Sequence, residues 1–188
     1  MNPSLINEKQ QLRNHIKKEF AKYDAETLRL LSVPVLGKIE QSEWFADAKK
    51  IACYHSLPNE VNTIDFIEKW VRLKEIYLPV ILDGNRMELR RFEPEKELCR
   101  NQFQIFEPLE GNCCHANDIE LFLTPGAAFD RSLHRLGKGK GYYDRLLAGT
   151  KAKKIGLCFN FQLFDSIPHA PHDIPMDAVF TDGEILIA

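Results

Sequence analysis

Apolar and polar positions follow two different periods along the 188-residue chain, and the period marks the elements. From Ser4 to about Tyr23 the apolar residues recur at helical spacing, which predicts a helix with Ser4 as its cap after Pro3. A second helical stretch starts near Asp24. Ser32 followed by Pro34 predicts a break there and a fresh helix start. "KIACYHS" (50–56) is a short apolar run with strand character. "TIDFIEKWVRL" (63–73) returns to helical spacing, with Ile64, Ile67, Trp70 and Val71 on one face and Thr63 near its start. "EIYLPVIL" (75–82) and "MELRRF" (87–92) read as strands about the turn Asp83-Gly84-Asn85. "IELFLTP" (119–125) is a buried strand, and "YYDRLLAG" (142–149) a helix closing on Gly149. "KIGLCFN" (154–160), "DAVFTD" (177–182) and "EILIA" (184–188) finish the chain as strands. Strands alternating with helices predict an α/β protein with a mainly parallel sheet and helices on both faces. There is no internal repeat and no low-complexity linker, and the length suits one domain over 1–188. The proline-rich "SIPHAPHDIP" (166–175) reads as a rigid surface loop.

Composition narrows the function classes. Hydrophobic residues make up 44% and charged residues 28%, enough for a sizeable core. The net charge of -2 argues against a broad nucleic-acid surface. Five cysteines without a CxxC spacing give neither a zinc site nor a disulfide framework. Cys53 and Cys158 read as core residues, and Cys113-Cys114 in a polar loop is given no role. The N-terminus is too polar for a signal peptide, and no apolar run approaches the ~18 residues of a membrane span. Reduced thiols and a cytoplasmic location are the expectation.

Positive charge is local. "RLGKGKGYYDR" (135–145) sets Arg135, Lys138, Lys140 and Arg145 among Gly137, Gly139 and Gly141, and ends on Tyr142, Tyr143 and Asp144. The loop lies between strand 119–124 and the helix starting at 142. Ligands of open α/β sheets bind beyond the carboxyl ends of strands, and a helix N-terminus suits a phosphate. The glycines allow close approach of the backbone, and the cations add charge. The loop has neither the P-loop pattern nor GxGxxG, since Tyr142 stands where the third glycine belongs. On the residues alone, phosphate binding and a flexible solvated turn both remain open. Asp144 reads equally as a magnesium ligand or as a first-turn helix acid.

"PGAAFDRSLHRLGKGKGYYDRLL" resembles the signature of the 5-formyltetrahydrofolate cyclo-ligase family, also called methenyltetrahydrofolate synthetases. Lys9 and Arg13, "YHSLPNEVNT" (54–63), "MELRRF" (87–92), "FEP" (106–108) and "HDIPMDAVFTD" (172–182) agree in order, so the resemblance covers nearly the whole chain. Leu133 departs from it, standing where the family usually has glycine. The resemblance implies a single three-layer αβα domain similar to the ribose-phosphate isomerase and CoA-transferase architecture. It implies ATP- and Mg²⁺-dependent closure of 5-formyltetrahydrofolate to 5,10-methenyltetrahydrofolate, with ADP and phosphate released. Lys9, Arg13 and the run Arg135, Leu136, Gly137, Lys138, Gly139, Lys140, Gly141, Tyr142 and Tyr143 would bind ATP. His55, Glu60 and Lys138 to Tyr142 would border the folate. Asp144 and Asp177 would hold Mg²⁺, and Lys140, Tyr142 and Asp144 would be catalytic. The expected partners are the folate and ATP, with no nucleic acid and no membrane, and the chain is expected to be a monomer. The alternatives are an ATP-dependent ligase or kinase of this fold acting on another heterocycle, and a non-catalytic nucleotide- or RNA-binding module. His169, His172 and Asp173 could suggest a metal cluster, but His172-Asp173 fits the family's loop and reads as structural.

Lys9 poses a separate question. At about 100° per residue it falls within the apolar stripe of Leu5, Leu12, Ile16 and Phe20, with Arg13 at the flank. Either its stem packs while its charge reaches water, or it reaches the ATP phosphates. Both readings predict that Lys9→Met leaves the stability of the free protein unchanged or higher.

Overall fold

The computed structural model of the chain describes residues 3–82, 86–96, 98–101 and 105–188; the expected turn Asp83-Gly84-Asn85 lies outside them. Among the described residues the α-helices are α1 (Pro3–Phe20), α2 (Ala25–Glu40), α3 (Glu43–Asp47), α4 (Ile64–Trp70) and α5 (Tyr142–Leu147). The strands of the first half are β1 (Lys50–Ala52), β2 (Glu75–Ile81), β3 (Met87–Arg91), β4 (Leu98–Arg100), β5 (Phe106–Pro108) and β6 (Cys113–Cys114). Those of the second half are β7 (Leu121–Pro125), β8 (Ala128–Asp130), β9 (Arg135–Leu136), β10 (Lys153–Leu157), β11 (Leu163–Phe164), β12 (Ala178–Phe180) and β13 (Ile185–Ile187).

Eight strands form the main sheet in the order β13-β12-β10-β7-β1-β2-β3-β6. The five central strands, β12 to β2, run parallel, and β13, β3 and β6 add antiparallel edges. Successive residues of these strands enter opposite layers, as a period of two requires. Ile51, Ile76, Leu78, Leu121 and Leu123 pack with residues of α1 to α4, whereas Ala52, Tyr77 and Phe122 pack with Leu147 of α5. Helices therefore lie on both faces, unequally: four on one side and the six-residue α5 on the other. The chain enters the sheet in the middle, at β1, moves out to β2, and returns to β7 on the other flank of β1. Adjacent parallel strands leaving in opposite directions open a crevice at their carboxyl ends.

Two sequence expectations need correction. The helix does not break at Pro34; α2 runs through it to Glu40. Pro34 shares the exposed face of the helix with Leu30 and Val33, so the carbonyl it leaves without an amide partner faces solvent. Asp24 caps this helix, accepting from Thr27 N at 2.8 Å. Ser4 is not a cap; it lies within the first turn and donates to Glu8 at 2.6 Å. The short α3, capped by Ser42, was not foreseen.

Leu133 explains its own departure from the glycine pattern. Its φ of 67° is left-handed, the conformation that glycine takes at least cost. Leu133 N donates to Asp130 O at 2.9 Å, and the Asp130 carboxylate accepts from the backbone of Ser132 and His134, so the turn is fixed on several sides. The leucine side chain is buried in one cluster with Phe129, Leu147 and Met176. Leu133→Gly would relieve about 1–2 kcal/mol of backbone strain but remove a buried side chain worth about 2–5 kcal/mol. The expected result is a net destabilisation of about 1–3 kcal/mol in urea unfolding. A gain in stability would show that packing at this turn contributes little.

Candidate active site

One cavity of about 310 Å³ opens where the fold places its crevice. Tyr54 and His55 follow β1, Pro79 and Ile81 come from the end of β2, and Pro125 ends β7. The opposite wall is the glycine-lysine loop and α5, with Gly137, Lys138, Lys140, Gly141, Tyr142, Tyr143 and Asp144. Leu57, Met87 and Ile105 make much of the remainder apolar, and Glu60 and Glu107 are acidic lining residues.

The loop takes its path because glycine permits it. Gly139 has φ 103°, and Gly141, at the N-cap of α5, has φ 65°. A Cβ on Gly141 would lie 2.9 Å from the Arg145 guanidinium. Because α5 spans only six residues, its dipole is smaller than the sequence expectation assumed. Side-chain cations carry more of the charge. Arg13 Nε, on α1, donates to Gly137 O at 2.9 Å and lies beside Gly139. Lys138 pairs with Glu60 at 2.6 Å, and the exposed Lys140 has no ion-pair partner among the described residues.

Arg135 anchors the floor. It is 4% exposed, and Nη2 donates to Asp144 Oδ1 at 2.8 Å while Nη1 points to Pro125 O at 3.4 Å. Its Nε is buried without a hydrogen-bond partner. The guanidinium lies over the Tyr143 ring, 5.5 Å from its centroid. Burial, and then the charge of Glu60, hold the Tyr54 and Tyr143 phenols well above their ordinary range, so both stay protonated at neutral pH. Burial lowers the His55 pKa, against an opposing pull from Glu68, and favours the neutral imidazole.

Most of the expected site residues converge here, but several stand elsewhere. Leu136 is a core residue; its contribution is a carbonyl that accepts from Ala127 N at 2.7 Å. Lys9 does not line the cavity. It is buried on α1 and forms a close ion pair with Asp173 of the proline-rich loop. Asp177 is not brought to Asp144. It sits at the amino ends of β10 and β12, accepting from Lys154 N at 2.8 Å and pairing with Lys154 Nζ at 2.7 Å, whereas the cavity lies past the carboxyl ends of β1, β2 and β7. The apolar wall and Glu107 were missed. The only signal for them was that "MELRRF" and "FEP" matched the family pattern.

At the glycine-lysine wall of the cavity, Asp144 is the carboxylate that can meet a divalent cation. Asp144 Oδ1 is taken by Arg135 and by Ile174 N at 3.3 Å, while Oδ2 has no partner among the described residues. Mg²⁺ is commonly held by one or two carboxylates with phosphate oxygens and water, so this donor set fits it. His169, His172 and Asp173 do not form a metal cluster, since Asp173 is paired with Lys9 and His172 is mostly exposed. The histidine grouping that does form is Asp130, His134 and His169. Its two imidazoles stack face to face, 3.7 Å apart and 8° from parallel, so their in-plane lone pairs do not converge on an ion.

Comparison with known proteins decides the family. The sequence profile of the 5-formyltetrahydrofolate cyclo-ligase family matches residues 5–182. The chain belongs to that family. A 5-formyltetrahydrofolate cyclo-ligase of Haemophilus influenzae is 32% identical over 180 residues, covering 89% of this chain and 94% of that protein. A probable 5-formyltetrahydrofolate cyclo-ligase of Caenorhabditis elegans is 30% identical, covering 95% of each. Among solved structures, the 5,10-methenyltetrahydrofolate synthetase of Aquifex aeolicus is similar with a TM-score of 0.86 and 34% identity, over 95% of this chain and 92% of that one. The family match spans the glycine-lysine loop and the loop at 54–63, both of which line the cavity.

Proposed function

We propose that the chain catalyses the ATP- and Mg²⁺-dependent cyclisation of 5-formyltetrahydrofolate to 5,10-methenyltetrahydrofolate, releasing ADP and phosphate. The observation that carries this reading is a single cavity with an apolar slot on one side and a cationic glycine loop on the other. The slot suits a flat heterocycle and the loop suits a triphosphate. Their juxtaposition sets a formyl oxygen against the γ-phosphate. Attack by that oxygen on phosphorus releases ADP and turns a poor leaving group into a phosphate ester. The neighbouring folate amine then attacks the activated carbon, phosphate leaves, and the amine loses its proton.

Such a reaction asks mainly for positioning and charge stabilisation. Arg13 and the backbone of Gly137 to Gly141 hold the phosphates, with Lys140 free to reach the transferred group. Arg135 sets the orientation of Asp144 from below. Asp144 Oδ2 would hold Mg²⁺, which neutralises charge on the phosphate oxygens when bound. Asp177 is left out of this arrangement by its bond to Lys154. Glu60 holds Lys138 over the cavity and, with His55, borders the folate. The fold reading that accompanies this proposal is the three-layer αβα arrangement of the ribose-phosphate isomerase and CoA-transferase type, acting as a monomer.

The test mixes purified protein with ATP, Mg²⁺ and 5-formyltetrahydrofolate and follows the methenyl product by absorbance. The expected result is one ADP per product molecule, and no product without ATP or with the metal chelated. Product formation without ADP would overturn the proposal.

A further inference from the structure

Two carboxylates line the cavity beside the apolar slot, and their electrostatic situations differ. Glu60 is satisfied: Oε1 accepts from Lys138 Nζ at 2.6 Å and Oε2 from Leu57 N at 2.8 Å. A cation neutralises it. Glu107, on β5, is 3% exposed and has no cation partner among the described residues. Its Oε1 accepts from two neutral donors, Ile81 N at 2.9 Å and Asn101 Nδ2 at 2.6 Å. Its Oε2 accepts from no described residue. A buried carboxylate without a counter-charge is costly unless further donors reach it. Glu107 lines the cavity between Ile81, Met87 and Ile105, so the missing donors can come from the cavity itself.

We propose that Glu107 Oε2 accepts N–H groups from the 2-amino-4-oxopyrimidine edge of the folate and thereby selects the heterocycle. This rests on the reading that the cavity takes the folate. That edge carries an exocyclic amino group beside a ring N–H, and a carboxylate oxygen with both lone pairs open matches it. The two bonds already on Oε1 fix the carboxylate plane, so the acceptor is set before the ligand arrives. Glu60 and Glu107 then divide the work. Glu60 holds Lys138 and borders the folate, and Glu107 reads the pyrimidine edge.

Glu107→Gln separates this from a structural role. The glutamine Oε1 still accepts from Ile81 and Asn101, but the cavity-facing group becomes an NH₂ that opposes the ligand's donors. The expected result is a KM for 5-formyltetrahydrofolate about 10- to 100-fold higher, the value of a hydrogen bond to a charged group. The KM for ATP should stay unchanged, and the melting temperature should hold or rise because an uncompensated buried charge is removed. The second arm uses the 2-desamino analogue of the folate. The wild-type protein should bind it at least about tenfold more weakly than the natural substrate, and Glu107→Gln should discriminate by less than about threefold. Glu107→Asp, which keeps the charge, should recover part of the discrimination. A folate KM unchanged in Glu107→Gln, or undiminished discrimination against the analogue, overturns this inference alone. Failure of the wild-type protein to bind 5-formyltetrahydrofolate overturns the functional reading and this inference with it.

Discussion

Asp144→Asn is expected to lower turnover by about 100- to 1,000-fold, the scale of losing one preorganised charge in a phosphoryl-transfer site. The cause is the geometry of the two carboxylate oxygens. Oδ1 is committed to the buried Arg135 guanidinium at 2.8 Å, and Oδ2 is the acid oxygen left at the cavity wall. An asparagine keeps a neutral acceptor for Arg135, so the protein should remain folded. It cannot supply the charge that Oδ2 presents to a hard cation. Stability should fall by about 1.5–3 kcal/mol, because a charge-assisted bond to a buried guanidinium becomes a neutral one. Raising Mg²⁺ should not restore the rate. Near-normal turnover at limiting Mg²⁺ would make Asp144 only the partner of Arg135, and the chemistry would have to be carried by the lysines of the loop.

Lys9→Met should destabilise the free protein by about 2–4 kcal/mol, less than the cost of removing one member of a fully buried pair because Asp173 is only partly buried. This reverses the expectation drawn from the helical wheel, where either reading left stability intact. The wheel located Lys9 in the apolar stripe correctly, and it is buried as that position requires. It could not show that Asp173 meets it there from the far end of the chain. The pair also makes a pH prediction. Burial pushes the Asp173 carboxyl up, but the Lys9 hydrogen bond, the Ala170 N–H and the Lys9 charge outweigh it and leave the pKa below its ordinary value of 3.8. A carboxyl depressed on folding contributes stability above its unfolded pKa and loses it as the pH falls through the folded one. The gap between the wild-type protein and Lys9→Met should therefore be full at pH 7 and narrow below about pH 4. Adding Asp173→Asn to Lys9→Met should recover much of the loss, since the amide oxygen still accepts from Ala170 N without a charge. Denaturant melts at both pH values check this. A gap that does not change with pH would assign the loss to packing of the lysine stem.

The parts of the fold legible in the sequence are those with strong local periodicity. The parallel core strands around 50–52, 75–81, 121–125 and 153–157 were read because their apolar runs are buried on both faces. The break at Pro34 was misread because local propensity does not reveal which face of a helix meets solvent. Of the site, the contiguous loop from Arg135 to Asp144 was legible because glycines, cations and an acid fall within one short stretch. The apolar wall was not. Pro79, Ile81, Met87 and Ile105 resemble ordinary core residues, and only the return of the chain to β7 gathers them at one crevice. Asp177 illustrates the converse. A pattern match assigned it to metal, while the direction of a parallel sheet sets it at the edge opposite the cavity.

The contacts of α1 bear on how the chain reaches this state. Lys9 meets Asp173 across 164 residues, and Arg13 meets Gly137 across 124. α1 thus leaves the ribosome more than a hundred residues before its polar partners. Until those segments emerge, a lysine in the apolar stripe of α1 lacks its counter-charge, and the helix has little reason to dock. Closing separations this long before any contact rewards it slows folding. Final docking of α1 and ordering of the glycine-lysine loop should accordingly be late and simultaneous, so that a partly folded chain has neither a finished core nor a complete cavity wall.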